Sequence, residues 1–365
     1  MPTIDVKTEG RSAREVLTWS RTTVEPALRA AVDTLPASMR LIAGYHFGWW
    51  NEHGKSYQTP EIDSKIGPEK GAGKGIGGKA IRPTLVLLSA QAVGGLPAAA
   101  VPAAVAVELV HNFSLLHDDV LDGDLTRRHR PTAWSVFGLN AAILAGDALL
   151  TLALDVLAAS EHPATMDGTR MLTATVQKLI DGQSTDLTFE QRARVELAEC
   201  LSMVGKKTGS LISCACAMGA SFGGGSPAQV EQLRGFGVRL GLAFQHMDDF
   251  LGIWGDPVMT GKPVYSDLRS RKKSLPVVVA LNSDTPAGRE LATMYHRTAP
   301  LSNNELVHAA ELIELAGGRA WSQAQVDDLL ARALRQLPTA NLTAQAARAV
   351  RELGALARLA THRDH

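Results

Sequence analysis

Two groups of aspartates, Asp118, Asp119 and Asp122, then Asp248 and Asp249 with Asp256 beyond, lie about 130 residues apart inside otherwise apolar, helix-forming sequence. Carboxylates set among Leu115, Leu116, Val120 and Leu121 are costly to desolvate unless something compensates their charge. On an α-helix, residues i and i+4 stand one turn apart on one face with i+1 beside them, so Asp118, Asp119 and Asp122 converge on one patch. An all-oxygen donor set of this kind suits a hard divalent cation. Magnesium in particular takes one or two carboxylates, keeps several waters and completes its shell with phosphate oxygens. The pattern therefore predicts a Mg²⁺-assisted site for a diphosphate. A solvated acidic face or a helix cap is the bland alternative, and the leucine-rich flanks and the second cluster both speak against it.

Bulk composition narrows the partners. Lysine plus arginine equals aspartate plus glutamate at 37 each, so no overall field recruits nucleic acid or an acidic membrane surface. Basic residues that matter must be locally clustered. The three cysteines, Cys200, Cys214 and Cys216, are an odd number without CxxC spacing and read as buried free thiols in a reducing, cytoplasmic compartment. The N-terminus lacks an apolar signal core, and the longest apolar stretches are interrupted by Pro97 and Pro102 or by Asp147 and Asp155, so no membrane span is expected.

Along the chain, residues 1–18 read as a flexible tail and 19–365 as a single all-α domain. Apolar spacing first turns helical over 13–41. From about 45 to 78 the sequence is polar and rich in Gly, Lys and Pro, predicting a long loop; Trp49 and Trp50 at its start suggest no function. Helices are then expected near 81–93, 98–121, 140–160, 165–185, 191–218, 227–253, 274–282, 288–297, 303–315, 320–337 and 340–358. Each aspartate group lies near the end of a long apolar helix. This suggests pseudo-symmetry, with facing helices presenting both clusters to one central cavity of a helical bundle.

Cations accompany both clusters. Arg127 and Arg128 follow the first, and Lys262, Lys272 and Lys273 follow the second. Lys79 and Arg82, in GGKAIRP, precede the first cluster at a helix start, where free backbone N–H groups favour anions. His111 lies about two turns before Asp118, and Lys206-Lys207-Thr208 adds a further phosphate contact. One diphosphate held through metal and a second held by Lys79, Arg82, His111 and Arg128 make a coherent pair. The first would leave from an allylic carbon, its charge stabilised by aspartate-held magnesium, while the second substrate offers its double bond to the resulting cation. Apolar helices would keep water away. Taken singly, an Arg127–Arg130 run is usually a solvated charge run and Gln245 reads also as a core amide, while His117 reads as a structural histidine.

The order of motifs GGKAIRP, HNFSLLHDDVLDGDLTRRHRPT, LAGDAL, DGQSTDL, KKTGSLI, FQHMDDFLGIWGDPVMTGKP and DLRSRKKSLP resembles that of the trans-isoprenyl diphosphate synthases, or polyprenyl synthetases, over roughly 79–276. The resemblance implies an isoprenoid-synthase helical bundle and a homodimer. It also implies about two or three magnesium ions per site joining isopentenyl diphosphate to an allylic diphosphate. By position, Asp118, Asp119, Asp122, Asp248 and Asp249 would bind metal. Lys79, Arg82, His111 and Arg128 would hold isopentenyl diphosphate, and Arg127, Lys207, Thr208, Gln245, Lys262 and Lys272 the allylic substrate. One position departs from the family pattern: the fifth residue of the second motif is Gly252, not aspartate. Asp256, two turns after Asp248, is a candidate replacement, although Gly255 and Pro257 suggest that the helix is ending there.

Product length is also implied by the resemblance. The residues just before the first motif, here Phe113 with Ser114 and Val110, would form the floor of the chain-elongation pocket. One large ring and no insertion in that motif suggest a geranylgeranyl product, although Phe113 reads equally as ordinary packing. Two other functions are compatible with the fold. A terpene cyclase would have no need of a second, metal-free diphosphate site, and a non-catalytic regulatory subunit would be free to lose the carboxylates altogether.

Overall fold

Ser12 starts the first helix: its hydroxyl accepts from Glu15 N–H while the Glu15 carboxylate accepts from Ser12 N–H, a capping box that opens α1 (Ala13–Asp33). The structure, a computed structural model, describes residues 10–56, 80–256, 264–297, 299–340 and 342–361. The expected tail over 1–18 is therefore too long. Arg11 is already fixed, 2.7 Å from the buried carboxylate of Glu352 near the C-terminal end. The single helix expected over 13–41 is divided at Pro36, because the residue before a proline is pushed out of the α region. The second piece, α2 (Ala37–Phe47), runs on into the stretch read as loop. Tyr45 and Phe47 are buried core residues there, and the left-handed Gly48 ends the helix. Trp49 stacks on Phe47, and Trp50 donates to the Leu41 carbonyl while lying over Gly44, where a Cβ would come within 1.9 Å of its ring. Both tryptophans are packing residues. From 57 onward the Gly-rich stretch, with Lys79, lies outside the described residues, as does Lys262.

Helices account for most of the rest. They are α3 (Ile81–Ala92), α4 (Val101–Leu121) entered through a 3₁₀ turn at Pro97–Ala100, α5 (Ala133–Phe137), α6 (Leu139–Ala158), α7 (Thr165–Gln191) and α8 (Leu197–Val204). A π turn at Gly205–Gly209 leads into α9 (Ser210–Phe222), followed by α10 (Pro227–Trp254) and α11 (Ser266–Arg269). The chain finishes with α12 (Leu275–Leu281), α13 (Pro286–Tyr295), α14 (Asn303–Leu315), α15 (Gly318–Arg335) and α16 (Ala344–Thr361). The helix expected over 191–218 is interrupted: α7 overruns to Gln191, and Arg192, paired with Glu199, turns the chain before α8. Sequence periodicity also gave no sign of a two-stranded hairpin, Thr126–Arg127 against Arg130–Pro131.

The long helices α4 and α10 sit centrally, α4 against α6 and α3, α10 against α9 and α15. Small residues let neighbouring helices approach, α9 against α3 and α10 against α9. A Cβ on Gly219 would lie 2.2 Å from the Val86 carbonyl, and one on Gly237 would lie 2.7 Å from Ser213 Cα. A second, smaller core of Ile253, Leu268, Val277, Leu291, Leu306 and Ile313 gathers α11–α14 around the end of α10. Pro97 and Pro102 stand at helix starts and so do not break the apolar run. Pro97–Leu121 and Leu139–Ala158 are both long and apolar enough to cross a membrane by length and composition alone. The first is mostly buried within the bundle, as a core helix is; the second is buried over less than half of its length.

Candidate active site

Both aspartate clusters occupy the last turns of their helices, α4 and α10. This is the end at which the helix dipole is negative, so each carboxylate there costs about 0.3–1 kcal/mol unless cations compensate. Burial pushes the Asp118 and Asp122 carboxyls up from their ordinary values. For Asp118 the charge of Asp122 adds to the effect, and for both Lys207 opposes it. The second residue of each cluster behaves differently. Asp119, 1% exposed, accepts a charge-assisted hydrogen bond from Arg127 Nε, leaving its buried Oδ2 without a protein partner. Asp249, 3% exposed, accepts from Gln245 Nε2 at 2.7 Å and from the Leu275 backbone N–H at 2.9 Å. Burial raises each of these carboxyls to about 6.

The hairpin after α4 decides where the arginines go. Arg128 and His129 at its tip both have positive φ, 54° and 62°, the twist a two-residue turn needs between antiparallel strands. Arg127 is thereby directed to Asp119, while Arg130 lies over the Tyr45 ring and donates to the Tyr45 carbonyl. The run is thus more than a solvated charge patch.

Lys207 and Thr208 stand in the π turn, a local widening common at functional sites. Gly182 makes room for it: a Cβ there would lie 2.5 Å from Lys207 N. Lys207 pairs with Asp186 at 2.7 Å, and Lys206 with Asp181 at the same distance. Asp186 belongs to DGQSTDL but carries no role in the sequence reading. Thr208 donates to Gln245 Oε1 at 2.6 Å and Gln245 donates to Asp249, so threonine and glutamine form a relay ending on Asp249. Lys272 joins the two clusters. Burial works against its ammonium, but Asp267, Asp249, Asp186 and Asp248 together outweigh that and stabilise it, and its charge in turn reaches Asp122.

A separate cationic cradle lies along α3 and α4. Arg82 is 3.0 Å from His111 Nε2, and burial lowers the Arg82 guanidinium to about 10 while Glu108 and Asp248 partly restore it. Burial and then Arg82 hold His111 well below its usual value, so the ring is neutral. Two members were not identified from sequence. Glu108, a lone charge in an apolar run, bonds to Asn112 and balances Arg82 and Arg128. His46 on α2 borders a cavity of about 20 Å³ with Asp119, Arg127, Arg128 and Arg130. Its Nε2 is buried without a protein partner, and burial and then Arg128 push it down to about 3.

Phe113, 5% exposed, meets His117 edge-on at 4.8 Å, and His117 is seated over Gly146 of α6 within 3.0 Å of the Ile143 carbonyl oxygen. Ser114 bonds to the His111 carbonyl, and Val110 is fully buried in the core. Asp256 lies beyond Gly255, the residue that ends α10, and is exposed.

Among the described residues no three His, Cys, Asp or Glu side chains converge tightly enough to hold an ion unaided. That fits magnesium, which needs only one or two carboxylates when phosphate oxygens and waters complete its shell. The hard oxygen donors, and the unpartnered Oδ2 of Asp119, suit it chemically.

A family model described as polyprenyl synthetase matches residues 73–313. The chain is 44% identical over 320 residues to the (2E,6E)-farnesyl diphosphate synthase of Mycobacterium tuberculosis, covering 86% of this chain and 84% of that one. It is 40% identical over 328 residues to the geranylgeranyl diphosphate synthase of the same organism, covering 90% and 89%. Among solved structures, a polyprenyl synthetase from Streptomyces coelicolor A3(2) superposes with a TM-score of 0.86 at 44% identity, over 95% of this chain and 99% of that chain.

Proposed function

The chain belongs to the polyprenyl synthetase family and is a trans-prenyl diphosphate synthase, a transferase; on that premise we propose that it condenses isopentenyl diphosphate with an allylic diphosphate to give geranylgeranyl diphosphate. The observation that carries this reading is the division of charge. Asp118, Asp122 and Asp248 stand with Lys207 and Lys272, whereas Arg82, on His111, and Arg128 gather around Glu108, the charge of Asp248 reaching Arg82 as well. One region suits a metal-bound diphosphate and the other a diphosphate bound by cations alone. A cyclase has no use for the second region, and a non-catalytic subunit has no use for either.

In this reading about two or three magnesium ions, when bound, neutralise the departing diphosphate. Asp118, Asp122 and Asp248 would hold them, the unpartnered Oδ2 of Asp119 with them, and Asp249 would stand behind as a buried anchor. Lys207 and Lys272, with Arg127, Thr208 and Gln245 in support, set the allylic substrate, and Lys262 from outside the described residues joins them. Arg82, His111 and Arg128, together with Lys79 from outside those residues, hold isopentenyl diphosphate. The apolar walls of α4 and α6 exclude water, so no side chain is required as nucleophile. Phe113 limits chain growth with Ser114 and Val110 beside it. The farnesyl product is the competing outcome, favoured by the function of the 44% identical relative. The reading includes a homodimer, for which the exposed Leu139 and Leu144 of α6 are support, and a cytoplasmic setting, consistent with three free, buried cysteines.

Incubation with Mg²⁺, labelled isopentenyl diphosphate and allylic primers of five, ten and fifteen carbons tests it. A discrete twenty-carbon diphosphate is expected, and Phe113→Ala is expected to lengthen it. A fifteen-carbon end product overturns the chain length. Turnover of an allylic diphosphate without incorporation of isopentenyl diphosphate overturns the condensation.

A further inference from the structure

The two clusters match position by position until the fifth residue. Asp118 answers to Asp248 and Asp119 to Asp249, each second aspartate being buried and anchored; Asp122 answers to Gly252. The space beside Gly252 is filled all the same. A Cβ built there would lie 2.4 Å from both Cγ and Oδ2 of Asp267 and 2.6 Å from its Oδ1. A carboxylate from α11 therefore occupies the volume into which a fifth-position side chain would project, one turn along from Asp248 on the same helix face.

Three further observations show that this placement is built. Asp267 is only 8% exposed. Ser266 Oγ donates to the Gly252 carbonyl, docking α11 on α10 at that very residue. The four-residue helix lies between Tyr265 and Arg271, both left-handed at φ 61° and 52°, conformations that non-glycine residues keep only where their surroundings impose them. The charge of Asp267 also acts on Asp249 and is the foremost electrostatic stabiliser of Lys272, so it belongs to the same electrostatic group as the second cluster. Asp256, beyond the end of α10, occupies no comparable place.

We propose that Asp267 supplies the carboxylate that Gly252 lacks, completing with Asp248 the second divalent-cation site. Glycine at 252 and aspartate at 267 are then one device: the carboxylate comes from α11, and the helix leaves room for it. The inference rests on the metal-dependent reading of the site given above.

The test is the Mg²⁺ concentration giving half of the thermal stabilisation seen with inorganic pyrophosphate, measured on the full chain. Asp267→Asn, which keeps shape and removes charge, is expected to raise that concentration about tenfold or more, as loss of a group supporting a metal site does. Gly252→Asp alone is expected to weaken the response through the clash. The double variant Gly252→Asp with Asp267→Ala is expected to bring it back to within about threefold of the parent, a rescue that a merely structural role for Asp267 would not give. If Asp267 only holds Lys272, Asp267→Asn weakens pyrophosphate binding without moving the Mg²⁺ midpoint, and the proposal falls. It falls equally if the double variant behaves no better than Gly252→Asp. Asp118→Asn and Asp248→Asn separate the role of Asp267 from metal binding as such. If these also leave the midpoint unmoved, the metal reading itself has failed; if they shift it and Asp267→Asn does not, only the assignment of Asp267 has.

Discussion

The ends of α4 and α10 solve one problem in two ways. Each places carboxylates at the negative end of a helix and buries the second aspartate, yet the α4 cluster draws all its acids from one turn while the α10 cluster borrows one from α11. The anchors differ as well. Asp119 rests on a single side chain, Arg127, delivered by a hairpin, whereas Asp249 rests on Gln245 of its own helix and on a backbone N–H at the start of α12. A cluster written in consecutive residues needs one helix to fold. A cluster assembled from three helices makes its geometry depend on the docking of α11 and α12.

The largest test of the comparison is to remove the first acid from each end. Asp118→Ala and Asp248→Ala should each lower the condensation rate at least about a hundredfold, the cost of losing one contact to developing charge. Equal losses at saturating Mg²⁺ would place the two ends on the same footing. A near-normal rate in Asp118→Ala would break the mechanism; a much smaller loss in Asp248→Ala would show that the borrowed carboxylate carries the second site.

A smaller effect concerns pH. Each cluster is preceded by a buried neutral histidine, His111 on α4 and His246 on α10. His246 is fully buried beside Trp321, neither ring nitrogen has a partner, and burial lowers it to about 4. Its folded pKa lies below the unfolded value near 6.5, so the unfolded chain binds more protons between pH 6.5 and 4 and stability falls as the pH drops through that window. Asp249, raised to about 6, works in the opposite direction between about pH 6 and 4. The difference in unfolding free energy between the parent and His246→Phe should therefore move by about 3 kcal/mol in favour of the variant as the pH falls from 7 to 4. Chemical denaturation of the apo chain across that range measures it, and a pH-independent difference would show that His246 titrates normally.

How much of this is legible in the sequence follows from the range of each interaction. The helices and the placement of Asp118, Asp122 and Asp248 at helix ends are periodic or local features, and periodicity revealed them. The interruption of the first helix was legible too, since Pro36 stands in the sequence, but continuous apolar spacing outweighed it. The loop boundary at 45 failed because tertiary burial of Tyr45 and Phe47 extends α2 through a polar-looking stretch. His46, Glu108, Asp186 and Asp267 stayed hidden for a different reason. Each works through neighbours far away in sequence, and nothing in its own surroundings says which charge it will meet. Glu108 left the one usable sign, a single acid in a run of apolar residues.

The smallest expected effect bears most directly on the anchors. Arg127→Ala leaves both oxygens of Asp119 without a protein donor in a buried place, which should cost about 2 kcal/mol of unfolding free energy. Gln245→Leu removes only one of the two donors to Asp249, because the Leu275 N–H remains, and frees the Thr208 hydroxyl to turn elsewhere; about 1 kcal/mol is expected. Denaturant midpoints at constant m value compare the two. The order matters more than the sizes. If Gln245→Leu proved the costlier change, the relay from Thr208 through Gln245 would be holding the π turn against α10 as well as holding Asp249, and the second cluster would depend on that turn for its shape. If Arg127→Ala is the costlier, the hairpin arginine is the sole support of the first cluster's buried acid. The α4 end, although written in one turn of sequence, would then be the less robust of the two.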